Sequence, residues 1–514
     1  MGSVYRHATR VLLYFGSDSD GGARAVAALV KEYAHLISKY KSVHDMPVLS
    51  AGDSALDDAR WKALAIFHRL AWFRRAWVLQ EVGLARDPVC LYGDEHFSYR
   101  DLMKLAVWTT RCAPHLEPRH GVSFYTVHTD WLNWSPKWQE TSPDPSQTLL
   151  GLLNHSRWLS CRMKKDHIYA LLGHPLARVE PGGQLIVQPS YRRTDEEVFL
   201  ELGKILIRDH GLRALSPVEH DDETWNSSSI PSWVPFYQDV ELTACNFGVF
   251  PDFWYDAGAG GPEDQIPVFV DDKNLLLRGH HVDTVKRALP FSEADLEDMR
   301  NVTTDGVPVE ADSQNSLLCR IMTEALAAEN GQAYDPNDKL TALSLTLCAG
   351  LSRYRCAEDD INDHRKNFAA YYEPFQQQQS RRRRRQQQQQ PHSTEPDPAV
   401  PSSDATPHAH PNTPGGKGDF EKFQTDMNLV CDGRTFVFTE HGRFGLGPQI
   451  ARAGDLCCVL FGAKVPFILR RSDQQEGRYY KLLGETYLHG LMRGEAFISN
   501  LNAHHAHEEP FVIC

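Results

Sequence analysis

Glu81 is the carboxylate of this chain whose setting most suits acid–base work. It closes the run Trp77-Val78-Leu79-Gln80-Glu81, in which mostly apolar residues precede an ionisable one. The run reads as a short buried strand through Val82, and open α/β sheets carry functional groups at the ends of such strands. Burial there raises a carboxylate pKa toward the range useful for proton transfer. The plainer reading is a structural Glu paired with Arg74, Arg75 or Arg86. Asp94, which follows Gly93, reads as a turn residue.

Other groups of chemistry-bearing residues are less convincing. His504, His505 and His507 with Glu508 and Glu509 could take a stray metal ion, but a chain end favours a solvated tail. His280 and His281 alternate across a strand and cannot face one metal together. Gly442, Gly445, Gly447 and Gly454 read as turn glycines, because their spacing fits neither common phosphate-binding loop. Arg381 to Arg385 could serve nuclear import or docking to an anion, beside the plainer reading of a solvated insert. The chain has no Gly-x-Ser-x-Gly elbow, P-loop, His-Glu-x-x-His or dinucleotide fingerprint. No cofactor or metal is therefore expected.

Composition narrows the class. The net charge is −13, from 54 basic and 67 acidic residues, which argues against a general nucleic-acid binder. At 514 residues the chain can hold two or three domains with real cores. Eleven scattered cysteines without paired ligand spacing read as buried free thiols of a reducing compartment. No apolar run reaches the ~20 residues of a membrane span, and no secretory segment opens the chain. A cytoplasmic protein is expected.

Several elements must position these residues. Gly22 to Tyr40 reads as an amphipathic helix with Val26, Leu29, Val30, Tyr33, Ile37 and Tyr40 on one face. Trp61 to Arg75 reads as another, with Leu64, Phe67, Leu70 and Trp72 at helical spacing. Leu12 to Phe15 is a continuous apolar run, as in a strand covered on both faces. Ser98 with Asp101, and Thr194 with Glu197, form capping boxes. From Arg434 onward short apolar strands alternate with Gly-containing turns, and they are expected to pair with strands of 266–286.

Several blocks together resemble the fungal heterokaryon-incompatibility (HET) family, in the branch typified by heterokaryon-incompatibility protein 6. They are Val4 to Gly16; Arg75-Ala76-Trp77-Val78-Leu79-Gln80-Glu81 with Cys90-Leu91-Tyr92-Gly93-Asp94; and Asp166-His167-Ile168-Tyr169-Ala170-Leu171-Leu172-Gly173. Val187-Gln188-Pro189-Ser190-Tyr191 and a block from Gly445 to Gly490 complete the set. The family's domain normally begins further upstream, with a Trp-Ile-Asp…Cys-Ile-Asn-Gln type motif that this chain does not contain. The chain is thus expected to hold only the later part of a HET domain.

The resemblance implies an α+β fold: a partial α/β, TIR-like HET domain, a helical middle region, and a small C-terminal β-barrel-like module with a disordered insert. The expected division is 1–110 for the HET part, 111–265 mainly helical, and 266–290 plus 425–500 as a discontinuous β module. Residues 291–375 form a helical insertion and 376–420 a low-complexity Gln/Arg/Pro insert. The family implies a role in self/non-self recognition and programmed cell death, acting through protein partners. Two alternatives stay open. One is a TIR-like hydrolase that cleaves NAD with the help of a glutamate, a role the resemblance places on no residue here. The other is a truncated, inactive paralogue. The chain as written is not expected to hydrolyse NAD.

Overall fold

The computed structural model describes residues 2–50, 52–124, 148–179, 183–222, 225, 229–236, 245–249, 254–259, 267–300, 317–327, 333–335, 338–352, 355–373, 418–472, 479–497 and 508–514. The chain divides into two compact units. One spans Met1–Asp209 with Phe236–Val240, and the other His210–Pro235 with Glu241–Cys514.

The first unit is built on a three-stranded sheet. Val11–Tyr14 pairs in parallel with Pro88–Tyr92, which pairs antiparallel with Glu95–Ser98. Gly93, at φ +56°, makes the tight turn of that hairpin, and Asp94 sits in the turn. Helices Ala23–Ile37, Arg60–His68 and Tyr99–Cys112 belong to the same unit, with Val26, Leu29, Trp61, Leu64, Phe67, Leu102 and Leu105 all fully enclosed in one core. The Ser98 hydroxyl caps the last of these helices by accepting from the Asp101 N–H. Phe15, Phe67, Trp72 and Phe73 form an aromatic cluster with ring centroids 4.4–5.3 Å apart.

Three expectations for this unit need correction. The Trp61 run is not one helix. It stops at His68, Leu70 is extended, and Ala71–Arg74 is a separate 3₁₀ turn. The Leu12 to Phe15 strand is covered on one face only, with Leu12 60% and Tyr14 65% exposed while Val11, Leu13 and Phe15 are buried. It lies at the sheet edge, so alternation replaces the two-sided burial that a continuous apolar run suggests. Finally, Trp77 to Val82 is not a strand. Val78–Gly83 is an α-helix, and its Val78, Leu79 and Val82 are buried at i, i+1 and i+4.

Further along, Thr148 caps Leu149–Ser156 by accepting from the Gly151 N–H. Thr194 and Glu197 make the reciprocal capping box ahead of Asp195–His210. Gly211 follows at φ +58°, a left-handed position that closes the helix without a Cβ penalty.

The second unit is dominated by a closed barrel. Its strands run in the order Leu456–Leu460, Phe467–Arg471, Tyr479–Glu485, Glu509–Ile513 and Leu275–Pro290, and the last pairs back to the first. All pairings in the ring are antiparallel except that of Tyr479–Glu485 with Glu509–Ile513. The 16-residue Leu275–Pro290 strand serves four partners along its length: Val268–Phe269 and Glu509–Ile513 at its start, then Leu456–Leu460, then Arg434–Thr439. Register shifts mark the two points where it bends. Cys457 and Cys458 are both fully buried in the barrel wall, and all eleven cysteines are free.

Gly445 and Gly447 are not turn residues. They lie inside the strand Phe444–Pro448, where an added Cβ would come within 2.6 Å of the Tyr487 carbonyl at the first position. Helices Glu293–Arg300, Leu317–Leu326, Lys339–Leu347 and 361–373 fill much of the stretch between the strands of this unit. The Arg381 to Arg385 run, the rest of the low-complexity insert to residue 417, and His504, His505 and His507 lie outside the described residues. Among the described residues no helix is long and apolar enough to cross a membrane.

Candidate functional site

In the first unit, the short Val78–Gly83 helix organises the polar contacts. Gln80 is buried, and its side-chain amide donates to the Tyr169 carbonyl at 2.9 Å. The Trp77 indole N–H donates to Asp166 Oδ2 at 3.4 Å, and the Tyr191 hydroxyl donates to Asp166 Oδ1 at 2.8 Å. The Tyr169 hydroxyl completes the assembly, donating to the Ser190 carbonyl at 3.0 Å and accepting from the Ser190 N–H at 3.1 Å. Asp166 is 6% exposed, so its carboxylate is a buried acceptor for two neighbours. Trp77 itself is only half-buried.

Glu81 sits in the first turn of this helix, not at a strand end. Its side chain is 18% exposed, and the Arg75 guanidinium stands 3.8 Å away as a partial counter-charge. Burial raises its pKa above the usual carboxylate range, while Arg75 pulls in the other direction. The Tyr5 phenol is raised too, first by burial and then by the Glu81 charge. Glu81 is thus a half-buried acid beside one arginine and one tyrosine, and the expected pairing with Arg75 is present geometrically at long range.

The second unit holds a cavity of about 470 Å³. Tyr334, Asp335, Asp338, Thr341, Glu358 and His489 contribute its polar lining, and Leu345 and Ile361 its apolar part. Burial pushes the His489 imidazole down to about 4, with the nearby Arg443 charge acting the same way, so the ring is neutral at neutral pH. Its Nδ1 is 3.1 Å from the Tyr487 hydroxyl. The Tyr334 hydroxyl donates to the His489 carbonyl at 3.2 Å and accepts from the Phe444 N–H at 3.0 Å, fixing that ring in place.

A second buried feature of this unit is an ion pair. Arg434 and Glu485 are each 2% exposed and meet at 2.8 Å. Glu485 also accepts from the backbone N–H groups of Phe247 and Gly248, and the Arg434 guanidinium lies 3.9 Å over the Phe247 ring. Every oxygen of the carboxylate is therefore engaged, which is the condition for a buried charge to be tolerated.

Two families match this architecture. The heterokaryon incompatibility protein (HET) family matches residues 1–81, and the Het-6 β-barrel domain matches residues 345–506. The curated relative "Heterokaryon incompatibility protein 6, OR allele" of Neurospora crassa is 21% identical over 471 residues. The chain is thus similar to HET-family proteins. The match covers 82% of this chain and 64% of the relative, so the chain spans a little under two thirds of the length of the curated protein it matches. No solved structure matches.

The barrel of this chain extends past the matched stretch. Leu275–Pro290 and Glu509–Ile513, two of its five closing strands, lie outside residues 345–506. Within the first unit, the blocks that carry the family resemblance converge: Trp77 and Gln80 from one, Asp166 and Tyr169 from the second, Ser190 and Tyr191 from the third. Sequence reasoning quoted Asp166 in a family block without assigning it a role. It also missed Tyr334 and Asp338, and for these no motif offered a signal. His489 falls within the Gly445 to Gly490 block, but only its place beside Tyr334 gives it a setting.

Proposed function

We propose that this HET-family chain works in fungal self/non-self recognition leading to programmed cell death, and that it acts through contacts with other proteins. The observation that carries the reading is the edge of the first unit's sheet. There Leu12 and Tyr14 present apolar side chains at 60% and 65% exposure on an edge strand. Such a strand offers both unpaired backbone groups and apolar surface to a partner. The test is expression of the full chain in a fungal host, with cell death scored by vital-dye uptake in compatible and incompatible pairings. A Leu12→Glu, Tyr14→Glu variant should fold normally, since both positions face solvent, yet lose the death response. A variant that kills as well as the parent would remove this surface from the account.

A second reading, NAD cleavage, is favoured by one feature: the half-buried Glu81 with its raised pKa. Purified protein incubated with NAD and assayed for nicotinamide release decides between them. Nicotinamide release abolished by Glu81→Gln would make the hydrolase reading the better one. No release above the no-enzyme rate leaves the contact-based reading in place.

A further inference from the structure

The cavity beside Tyr334 and His489 has a chemistry that the family reading does not use. Three carboxylates line it, from Asp335, Asp338 and Glu358, and among the described residues no lysine or arginine lines it. Asp338 is exposed and caps no backbone N–H with its side chain, although it stands at the start of Lys339–Leu347. Glu358 is paired with Arg493 at 2.6 Å, both being 44% exposed. Arg443, behind His489, lies 3.9 Å from the fully buried Asp283 carboxylate. Arg365 donates to the lining Thr341 Oγ1 at 3.1 Å, so the negative charge at the cavity rests on Asp335 and Asp338, and a phosphate or carboxylate ligand is disfavoured beside them.

The remaining lining decides which cation fits. Among the described residues no group of three His, Cys, Asp or Glu is placed to hold a metal ion. The Tyr334 and His489 rings stand 5.4 Å apart at 53°, and the neutral imidazole adds no repulsion toward a positive charge. Leu345 and Ile361 provide an apolar surface for a methylene stem. At about 470 Å³ the space lies within the range of small-ligand sites. A planar delocalised cation suits aromatic walls and carboxylate acceptors together better than a compact ammonium does.

We propose that this cavity binds the guanidinium group of an arginine side chain, with Asp338 as its main charge partner and Tyr334 and His489 as its aromatic wall. The test is titration calorimetry on the full chain with N-acetyl-arginine amide and with its neutral isostere, N-acetyl-citrulline amide. The arginine probe should bind at least about tenfold more tightly than the citrulline probe, because only it offers charge-assisted donors. Asp338→Asn should weaken the arginine probe by about fivefold, the scale of one exposed charge contact, and leave the melting temperature unchanged. Tyr334→Leu should also weaken it, through loss of the aromatic face.

A second arm compares the arginine probe with a Gly/Ser pentapeptide carrying one central arginine. Tighter binding of the peptide assigns the site to a basic segment of a protein, and equal binding assigns it to free arginine-like molecules. Arginine and citrulline probes that bind equally, or an arginine probe indifferent to Asp338→Asn, would overturn the proposal.

Discussion

The indole of Trp77 and the carboxylate of Asp166, 89 positions apart in the chain, meet through an N–H···O contact of 3.4 Å. Tyr191 supplies a second donor to the same carboxylate at 2.8 Å. One buried Asp thus ties together three stretches that are distant in sequence. The HET-type blocks of this chain are linked through polar side chains as well as through apolar packing.

That geometry sets the first prediction. Asp166→Ala removes an acceptor from two donors and should cost about 1–3 kcal/mol, the desolvation cost of leaving them unpaired. Tyr191→Phe should cost less, at most about 1 kcal/mol, because Tyr191 is 57% exposed and water can replace its partner. Thermal melts of the two single variants and the double variant would measure the coupling. Strictly additive losses would show that Asp166 does not act as a shared acceptor.

Trp77→Ala should cost about 1–3 kcal/mol, below the ~3–5 kcal/mol typical of a fully buried Trp. The reason is that the ring is half-buried on a helix start and not enclosed in a strand. Trp77→Phe should recover most of the packing and lose only the bond to Asp166. Urea unfolding midpoints would separate the two contributions.

How far the sequence disclosed this depends on the residues concerned. Thr194 and Glu197 announced a helix start because a capping box is a local device whose two bonds close within four residues. Val26, Leu29, Val30, Tyr33 and Ile37 were legible for a similar reason, since a 3.6-residue period needs no knowledge of the partner, whereas Tyr40, expected on the same face, is exposed because the helix ends at Ile37. Trp77 to Val82 was not, because a short apolar run fits a buried strand and a buried helix alike. The choice there is made by Gln80, whose bond to the Tyr169 carbonyl is formed only by the tertiary fold. Phe444–Pro448 was hidden by its glycines, which serve close strand approach as well as turns. The cavity was invisible, since Tyr334 and Asp338 come from one stretch, Glu358 from a second and His489 from a third, without a motif.

Acid should destabilise both units through their buried histidines. Burial pushes His68 and His364 down to about 4, and they are 8% and 4% exposed. An unfolded histidine titrates near 6.5, so below that pH the unfolded chain takes up protons that the folded one refuses. The stability carried by each neutral ring is complete above about pH 6.5 and is lost as pH falls toward about 4. The loss is on the order of 3 kcal/mol per group. Melting temperatures recorded across this window should fall steeply, and His364→Gln should flatten the fall. Its amide can keep the contact that His364 Nε2 makes with Ser344 Oγ at 3.0 Å, yet it does not titrate.

Removing one partner of the Arg434–Glu485 pair should be among the most damaging single changes in the barrel unit. Either Arg434→Ala or Glu485→Ala leaves a buried charge without its counterpart, at a cost of about 3–5 kcal/mol. Glu485→Ala should also free the backbone N–H groups of Phe247 and Gly248, which it holds directly. Hydrogen exchange would then rise at those two amides more than at the neighbouring barrel strands. Unchanged exchange there would mean the segment is held by its apolar contacts instead.

The last prediction concerns barrel closure. At Gly279 the Leu275–Pro290 strand is paired on both sides, to Glu509 and to Leu460. A Cβ at this position would stand 2.4 Å from the Val459 carbonyl and 2.8 Å from the Leu460 Cα, and backbone atoms of a paired strand cannot rotate aside. Gly279→Ala should therefore push Leu456–Leu460 away and cost about 1–3 kcal/mol, with the ring opening at that seam. Gly447→Ala is the matched control. Its nearest obstacle, at 2.8 Å, is the Ile468 Cδ1 methyl at the end of a flexible side chain, which can give way. Side-by-side urea unfolding should rank Gly279→Ala well below Gly447→Ala in stability. Equal midpoints would show that the seam at Gly279 is loose enough to admit a methyl group, and that closure does not depend on glycine there.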